Sequence, residues 1–408
     1  MNNNLVIRRY EDKDETRVNE FFTAYFDGWK GWDYWQWKYK DNPAGFFGNI
    51  WLAEEGDTIA SCWGIIPIMV KVNDEVIMGA QSVEAATHPD YRRRGLFVTL
   101  IQKTLAESVK DGINLTFVFP GRKSYGGFMK SGCHDLGSVP RRYRVLNIAK
   151  ALGLRAAPGS LAKFSPHSIF NTVKLAWKTL RNQKLSYEEV SPLTTVRYIL
   201  LLGAAMLSNP RCLFRSGDAG PVPGLAIKEV DSFDERVTYF WREISSGFPV
   251  AVDRNCEYLN WRYKLNPVSK FVLFVAENEG RIDGYMVLKS ETDEGIIMDI
   301  MSRDNRIFTC LLHKALRYFA DEGKAVVECW MPDNLAYSKI LRKYGFGSYQ
   351  WVEKFASRFR FWKGLTNPFV ISVNSINGKG VKPEIERLDS WFLAAGDSDW
   401  EEMSLSAQ

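Results

Sequence analysis

Apolar and polar positions along the chain fall into a string of short strands and amphipathic helices. Residues 5–10 read as a strand, and behind it Val18, Phe21, Phe22 and Phe26 recur at helical spacing. An aromatic helix is predicted over 33–40. It stops before Asn42-Pro43, because proline disfavours helical backbone in the residue that precedes it. Strands are predicted over 49–53 and 58–72, then over 76–79 after a polar Asn73-Asp74 turn, and over 81–87. The next helix carries Phe97, Leu100, Ile101, Leu105 and Val109 on one face. A strand over 113–119 and a short helix around 124–131 close the unit.

The string then repeats. Leu5-Val6-Ile7-Arg8 with Asp14-Glu15 returns as Leu225-Ala226-Ile227-Lys228 with Asp234-Glu235, shifted by 220. Tyr34-x-x-Trp37-x-Tyr39-Lys40-x-Asn42-Pro43 returns as Tyr258-x-x-Trp261-x-Tyr263-Lys264-x-Asn266-Pro267, shifted by 224, and Ala53-Glu54 returns as Ala276-Glu277. Matches in one order at a near-constant, domain-sized offset point to a duplication rather than a solenoid. The second copy is predicted to hold a strand over 295–301, a helix over 307–322, a strand over 325–330 and a helix over 335–344. The fold class is α+β, each copy a mixed, mostly antiparallel sheet flanked by helices and closed by a strand–helix–strand crossover. Trp37 and Tyr39, which recur as Trp261 and Tyr263, are expected to be packing residues rather than a ligand box.

Composition narrows the class. Hydrophobic residues make up 46% and aromatics 14% of 408 residues, which excludes wholesale disorder. The longest apolar run, 198–207, is about half of the ~20 residues that span a bilayer. Met1-Asn2-Asn3-Asn4 leads straight into charged residues, unlike a secretory signal, so the cytoplasm is the expected location. Six scattered cysteines without a CxxC pair, and four scattered histidines, predict reduced thiols and no metal site.

The segment from Ser82 to Phe97 runs from a strand through a loop into a helix: Ser82-Val83-Glu84-Ala85-Ala86-Thr87-His88-Pro89-Asp90-Tyr91-Arg92-Arg93-Arg94-Gly95-Leu96-Phe97. A helix N-terminus leaves about four amides unpaired and carries roughly half a positive charge. Gly95 admits close backbone approach, and three arginines add cationic field. The pattern predicts an anion pocket suited to a pyrophosphate; a solvated basic turn is the plainer alternative. On the same strand Glu84 is a candidate general base, with alternation expected to put Ser82, Glu84 and Ala86 on one face. A simple ion pair with an arginine is the competing role for Glu84.

This segment resembles motif A of the GCN5-related N-acetyltransferases (GNAT), and the double build is similar to enhanced-intracellular-survival-like and polysaccharide-locus relatives. Arg92 and Gly95 match the family's R/Q-x-x-G-x-G/A pattern, whereas Phe97 stands where the family has Gly or Ala. The resemblance implies tandem acyl-CoA N-acyltransferase domains, with acetyl-CoA as cosubstrate and no metal. Main-chain groups of Ala86, Thr87 and His88 would meet the pantetheine arm. Amides across Arg93, Arg94, Gly95, Leu96 and Phe97 would hold the phosphates, with Arg92, Arg93 or Arg94 on the 3′-phosphate. The His88 side chain, at a His-Pro turn, is expected to be structural. Phe128 occupies the family's tyrosine position, so Tyr125, one helical turn earlier, is the candidate general acid; Ser131, Cys133 or water stay open. In the second copy the equivalent loop, Met301-Ser302-Arg303-Asp304-Asn305-Arg306, is shorter, lacks glycine and adds a carboxylate, which predicts no acetyl-CoA there.

The implied organisation is a catalytic unit over 1–140, a basic connector over 141–222, a degenerate second unit over 223–362 and an extension over 363–408. The implied reaction is transfer of acetyl to a primary amine of a small molecule such as an amino sugar. Aminoacyl or long-chain acyl transfer, and non-catalytic acyl-CoA binding, are the alternatives. Residues 141–215 hold 13 Lys and Arg against two acids, although the whole chain is only +5. Within them Ile169, Val173, Trp177 and Leu180 form an apolar stripe flanked by Lys174, Lys178 and Arg181. An ordinary inter-domain helix and peripheral contact of 168–184 with anionic membrane both fit that pattern. No nucleic-acid motif is present, and the oligomeric state is left open. Asp397, Asp399, Glu401 and Glu402 are expected to form a solvated acidic end.

Overall fold

The computed structural model describes residues 5–26, 29–45, 48–147, 209, 220–348, 368–373 and 383–399. The first copy forms β1 (Leu5–Arg9), α1 (Glu15–Tyr25), α2 (Trp32–Trp35), β2 (Ile50–Glu55), β3 (Thr58–Val72), β4 (Glu75–Thr87), α3 (Leu96–Ser108), β5 (Leu115–Val118), α4 (Arg122–Lys130) and β6 (His134–Ser138). The two strands expected over 76–79 and 81–87 are the single strand β4, because Ala80 continues the ladder opposite Pro67. The helix expected over 33–40 is α2 followed by a π-helix, Gln36–Lys40.

The next strand, β7 (Arg141–Val145), leaves this sheet for the second one. The second copy supplies β8 (Leu225–Val230), α5 (Glu235–Ile244), β9 (Val250–Val252), α6 (Cys256–Leu259) with its own π-helix Asn260–Lys264, β10 (Phe271–Asn278) and β11 (Arg281–Ser290). It continues through β12 (Glu294–Ser302), α7 (Asn305–Asp321), β13 (Val326–Trp330), α8 (Ala336–Lys343) and β14 (Gly347–Ser348). The second sheet runs β14-β7-β13-β12-β11-β10-β8. The first runs β1-β2-β3-β4-β5-β15-β6, where β15 (Pro368–Val373) has come from beyond the second copy. Each sheet therefore receives its penultimate strand from the other unit. The first exchanged strand begins at Arg141 and the second at Pro368.

Side chains fix this exchange. Strand β7 looks like the head of a basic connector, yet all five of its residues are buried. Arg141 makes a two-pronged pair with Glu328 of β13 (2.6 and 2.8 Å), and Arg142 pairs with Asp333. On β15, Phe369 is fully buried between Phe117, Phe119 and Trp391. Phe369→Ala is expected to cost about 3–5 kcal/mol, the usual range for a fully buried phenylalanine. Denaturant unfolding measures it, and a loss below about 1 kcal/mol would mean that β15 does not hold the first sheet.

The two copies meet at the repeated aromatic motif. Trp37 and Trp261 stack with centroids 5.1 Å apart, and each indole N–H donates to the other's backbone carbonyl (2.7 and 2.8 Å). The packing role expected for Trp37 and Tyr39 holds, as both are buried. The acidic end departs from expectation. After β16 (Trp391–Phe392), which lies beside β9, Asp397 is buried and accepts from Arg254 at 2.7 Å, and Asp399 is half-buried. Arg254 is itself fully buried and supplies the counter-charge that a solvated tail would not need. Glu401 and Glu402, and the 168–184 stripe with its membrane-contact expectation, lie outside the described residues. Among the described residues no helix is long and apolar enough to cross a membrane.

Candidate active site

Strands β4 and β5 run parallel and pair only from Gly79–Leu115 to Gln81–Phe117. β4 continues to Thr87, paired on its other side with β3. Among the described residues the β5-facing edge over 82–87 thus has no strand partner. A β-bulge accompanies the divergence: the register against β3 slips between Cys62 and Gly64, and Glu84 takes a positive φ of 40°. A bulge rotates the following side chains and re-aims one of them.

That bulge corrects the expected alternation. Ser82 lines a small cavity with Trp63, Leu105 and Phe128 beneath α3 and α4. Glu84 instead reaches the opposite side of the sheet, where it accepts from Lys38 Nζ and Tyr39 Oη of the first π-helix. The partner is a lysine, not an arginine. Both side chains of the ion pair are more than nine-tenths buried. Burial by itself would weaken Lys38's hold on its proton, but the charge of Glu84, with Tyr34 and Asp399, outweighs it and holds the ammonium above the usual lysine range. Burial and Glu84 push the Tyr39 hydroxyl and the Cys62 thiol upward in the same way.

The loop after β4 is tied down locally. Ser61 Oγ donates to the Ala86 carbonyl (2.8 Å) and lies 2.9 Å from Thr87 Oγ1. The His88 amide donates to the Ala60 carbonyl, and the His88 carbonyl accepts from Tyr91 N–H, both at 2.9 Å. His88 Nδ1 accepts from Asp90 N–H (3.2 Å), and its ring packs edge-on against Tyr25 and Tyr91. The side chain holds the turn.

Beyond the turn Arg93 and Gly95 both adopt left-handed backbone, at φ 63° and 80°. Gly95 is the N-cap of α3, and no side chain caps the helix. Among the described residues the amides of Leu96, Phe97 and Val98 meet no protein acceptor. Arg92, Arg93 and Arg94 are exposed around them. Arg92 Nε donates to the Thr87 carbonyl (3.3 Å); Arg94 donates to the Asp90 carbonyl (2.9 Å) and lies over the Tyr91 ring. Phe97, bulky where the resemblance implies Gly or Ala, turns away from the loop and packs edge-on against Phe128. Gly127 makes this fit, since a Cβ there would run into the Phe97 ring.

Residues 6–133 match the family model described as the acetyltransferase (GNAT) domain. The crystal structure of a GCN5-related N-acetyltransferase from Anabaena variabilis ATCC 29413 superposes with a TM-score of 0.57 at 11% identity, covering 90% of this chain and 72% of that one. A GCN5-related N-acetyltransferase from Kribbella flavida gives 0.51 at 10% identity, covering 90% and 71%. The fold is the GNAT fold. No curated protein matches the sequence.

Within the GNAT domain the two sequence-predicted catalytic groups do not come together. Tyr125 sits half-buried on α4, among the side chains packed around Trp63 and Phe128. Glu84 packs with Tyr39 and Cys62 on the other side of the sheet. Tyr125 Oη donates to Asp135 Oδ2 at 2.6 Å, and that hydrogen bond, aided by burial, pushes the phenol up to about 12. Among the described residues no cluster of His, Cys, Asp or Glu could hold a metal.

The equivalent place in the second unit is built differently. Asp304, the N-cap of α7, accepts from the amides of Arg306 (2.7 Å) and Ile307 (2.9 Å). Tyr337 of α8 stacks on Phe308 and donates to the Ser302 carbonyl at the end of β12 (2.7 Å). β12 pairs with β13 only as far as Ile297, so Tyr337 covers the stretch where the strands have parted. The protein's own carboxylate and phenol fill the positions that stand open in the first unit.

Sequence reasoning did not weigh Lys38, and it gave Tyr39 a packing role without its bond to Glu84. One signal was present: Lys38 and Arg262 occupy the same repeat position inside an otherwise aromatic, buried motif. A cation there requires a buried carboxylate.

Proposed function

We propose that the chain is an acetyl-CoA-dependent N-acetyltransferase whose first unit transfers acetyl to a primary amine of a small molecule by direct attack. The observation that carries this reading is the contrast between the two helix N-termini. That of α3 is uncapped and ringed by arginines, while that of α7 is closed by Asp304. Free amides, half a helix charge and three guanidinium groups suit a diphosphate. Ala86 and Thr87, on the edge of β4 that faces β5, would meet the pantetheine arm, although their carbonyls already accept from Ser61 Oγ and Arg92 Nε, and His88's amide and carbonyl are engaged within the chain as well.

The thioester supplies the activated acyl group. An ammonium must lose a proton before it can attack, and in this reading Glu84 accepts it. Its oxygens are each fixed by one donor, Lys38 on one and Tyr39 on the other, so the carboxylate is held in orientation with lone pairs remaining. Tyr125 would serve as acid only after releasing Asp135, and water is then the simpler proton source for the leaving thiolate. In this reading the second unit is a degenerate copy, and the extension beyond it supplies β15 to the first sheet.

Thiol release from acetyl-CoA over a panel of amino sugars, polyamines and peptides tests the reading. Amine-dependent release is expected. Saturable binding with no release for any amine would make the chain an acyl-CoA-binding module instead.

A further inference from the structure

The repeat-equivalent tyrosines of the aromatic motif, Tyr39 and Tyr263, end in different places, and one position on the neighbouring strand separates them. Counting from the repeated Ala53 and Ala276, Ile50 stands opposite Gly64 where Leu273 stands opposite Val287, so Gly64 and Val287 are equivalents. Ala86 stands opposite Cys62 and Met301 opposite Tyr285, which makes Glu84 and Asp299, each two residues earlier, equivalents as well. A Cβ at Gly64 would run into the Tyr39 hydroxyl, and the three atoms nearest to it all belong to that phenol. With no Cβ there, the hydroxyl has room to reach Glu84 and donates to it. In the second unit a valine stands at the seat. The Tyr263 hydroxyl lies instead over Gly396 of the C-terminal segment, and Asp299 accepts from Tyr285 Oη at 3.1 Å.

We propose that Tyr39 is a positioning residue for Glu84 and that Gly64 is the seat that lets it act: the phenol fixes the orientation of the carboxylate that the first unit uses as its base. The inference rests on the acetyltransferase reading and names the pair of residues that aims its base. The terminal torsion of a glutamate is broad, so the side chain by itself sets no direction for its oxygens. Lys38 holds Oε1 from the end of a flexible stem with rotatable donors, a contact that tolerates rotation of the carboxylate. Tyr39 is stiffer. Its side chain is buried and its ring is held against Trp35, with centroids 4.6 Å apart. The hydroxyl therefore meets Oε2 at a set point and fixes where the remaining lone pairs face. Gly64 does not have left-handed backbone, so alanine can adopt its conformation and the added methyl acts on the phenol.

Tyr39→Phe keeps the ring and removes the hydroxyl. It is expected to lower kcat between about 10- and 100-fold with the KM for acetyl-CoA unchanged, the scale of a reacting group misplaced by about 1 Å. Gly64→Ala should lower kcat at least as far and lower the Tm as well, because the methyl and the hydroxyl compete for one place. The double variant Gly64→Ala/Tyr39→Phe separates aiming from packing. With the hydroxyl gone the methyl fits, so its Tm should return close to that of Tyr39→Phe, while its kcat stays at the Tyr39→Phe level. Wild-type kcat in Tyr39→Phe, or a double variant that regains turnover together with its Tm, overturns the proposal. Both outcomes are read against an active wild type. Thiol release with no amine from wild type itself would overturn the acetyltransferase reading, and this inference with it.

Discussion

Gly95→Asp is expected to weaken acetyl-CoA binding by about 100-fold or more, because a like charge set against a bound anion costs several kcal/mol. The substitution gives α3 the N-cap residue that α7 already has in Asp304, where the carboxylate takes two first-turn amides for itself. A Cβ at Gly95 meets no atom within 4 Å, so the fold has room for the side chain. The left-handed backbone at φ 80° is strained for a non-glycine residue, though aspartate tolerates it better than most. Stability should thus change little while affinity collapses. Gly95→Ala separates the two effects: it keeps the backbone strain without the charge, and calorimetry should show a much smaller loss. Equal losses for both variants would place the effect in the backbone rather than in an anion cradle.

Glu84→Gln should lower turnover by roughly 100-fold or more, the range that a positioned general base contributes. Its KM for acetyl-CoA should stay near wild type, since Glu84 lies across the sheet from Phe97 and the α3 N-terminus. The substitution also removes one partner of a buried ion pair, which ordinarily costs about 3–5 kcal/mol. The Tyr34 hydroxyl, 3.3 Å from Lys38 Nζ, remains to hold the ammonium, so the loss should fall below that range. Denaturant unfolding of the same variant measures the stability loss. A well-folded Gln variant with unaltered turnover would remove Glu84 from the chemistry and leave the Lys38 pair as a packing device.

What was legible in the sequence is what local pattern carries. The repeat, the helix faces and the strand–loop–helix of the cradle all follow from spacing within a few residues. The strand exchange does not. Arg141 and Arg142 read as a basic linker because their counter-charges, Glu328 and Asp333, lie far along the chain. The same holds for Asp397 and Asp399, acidic residues whose partners, Arg254 and Gln81, belong to other elements. The bulge at Glu84 was hidden for another reason. Glutamate gives no local sign of left-handed backbone, so strict alternation grouped Ser82 with Glu84 and Ala86, although the bulge leaves Ser82 on the opposite face. The cap on the second unit's helix was readable, because Asp304 is a strong N-cap residue at the head of an apolar-periodic helix. Its reinforcement by Tyr337 was not, since that contact forms only once α8 folds back on β12.

The central claim is that one helix N-terminus of two is open to a nucleotide diphosphate. Titration calorimetry of the full chain with acetyl-CoA measures this directly. One equivalent bound per chain, lost in Gly95→Asp and retained in Asp304→Asn, is the predicted result; two equivalents, none, or binding that survives Gly95→Asp would contradict it.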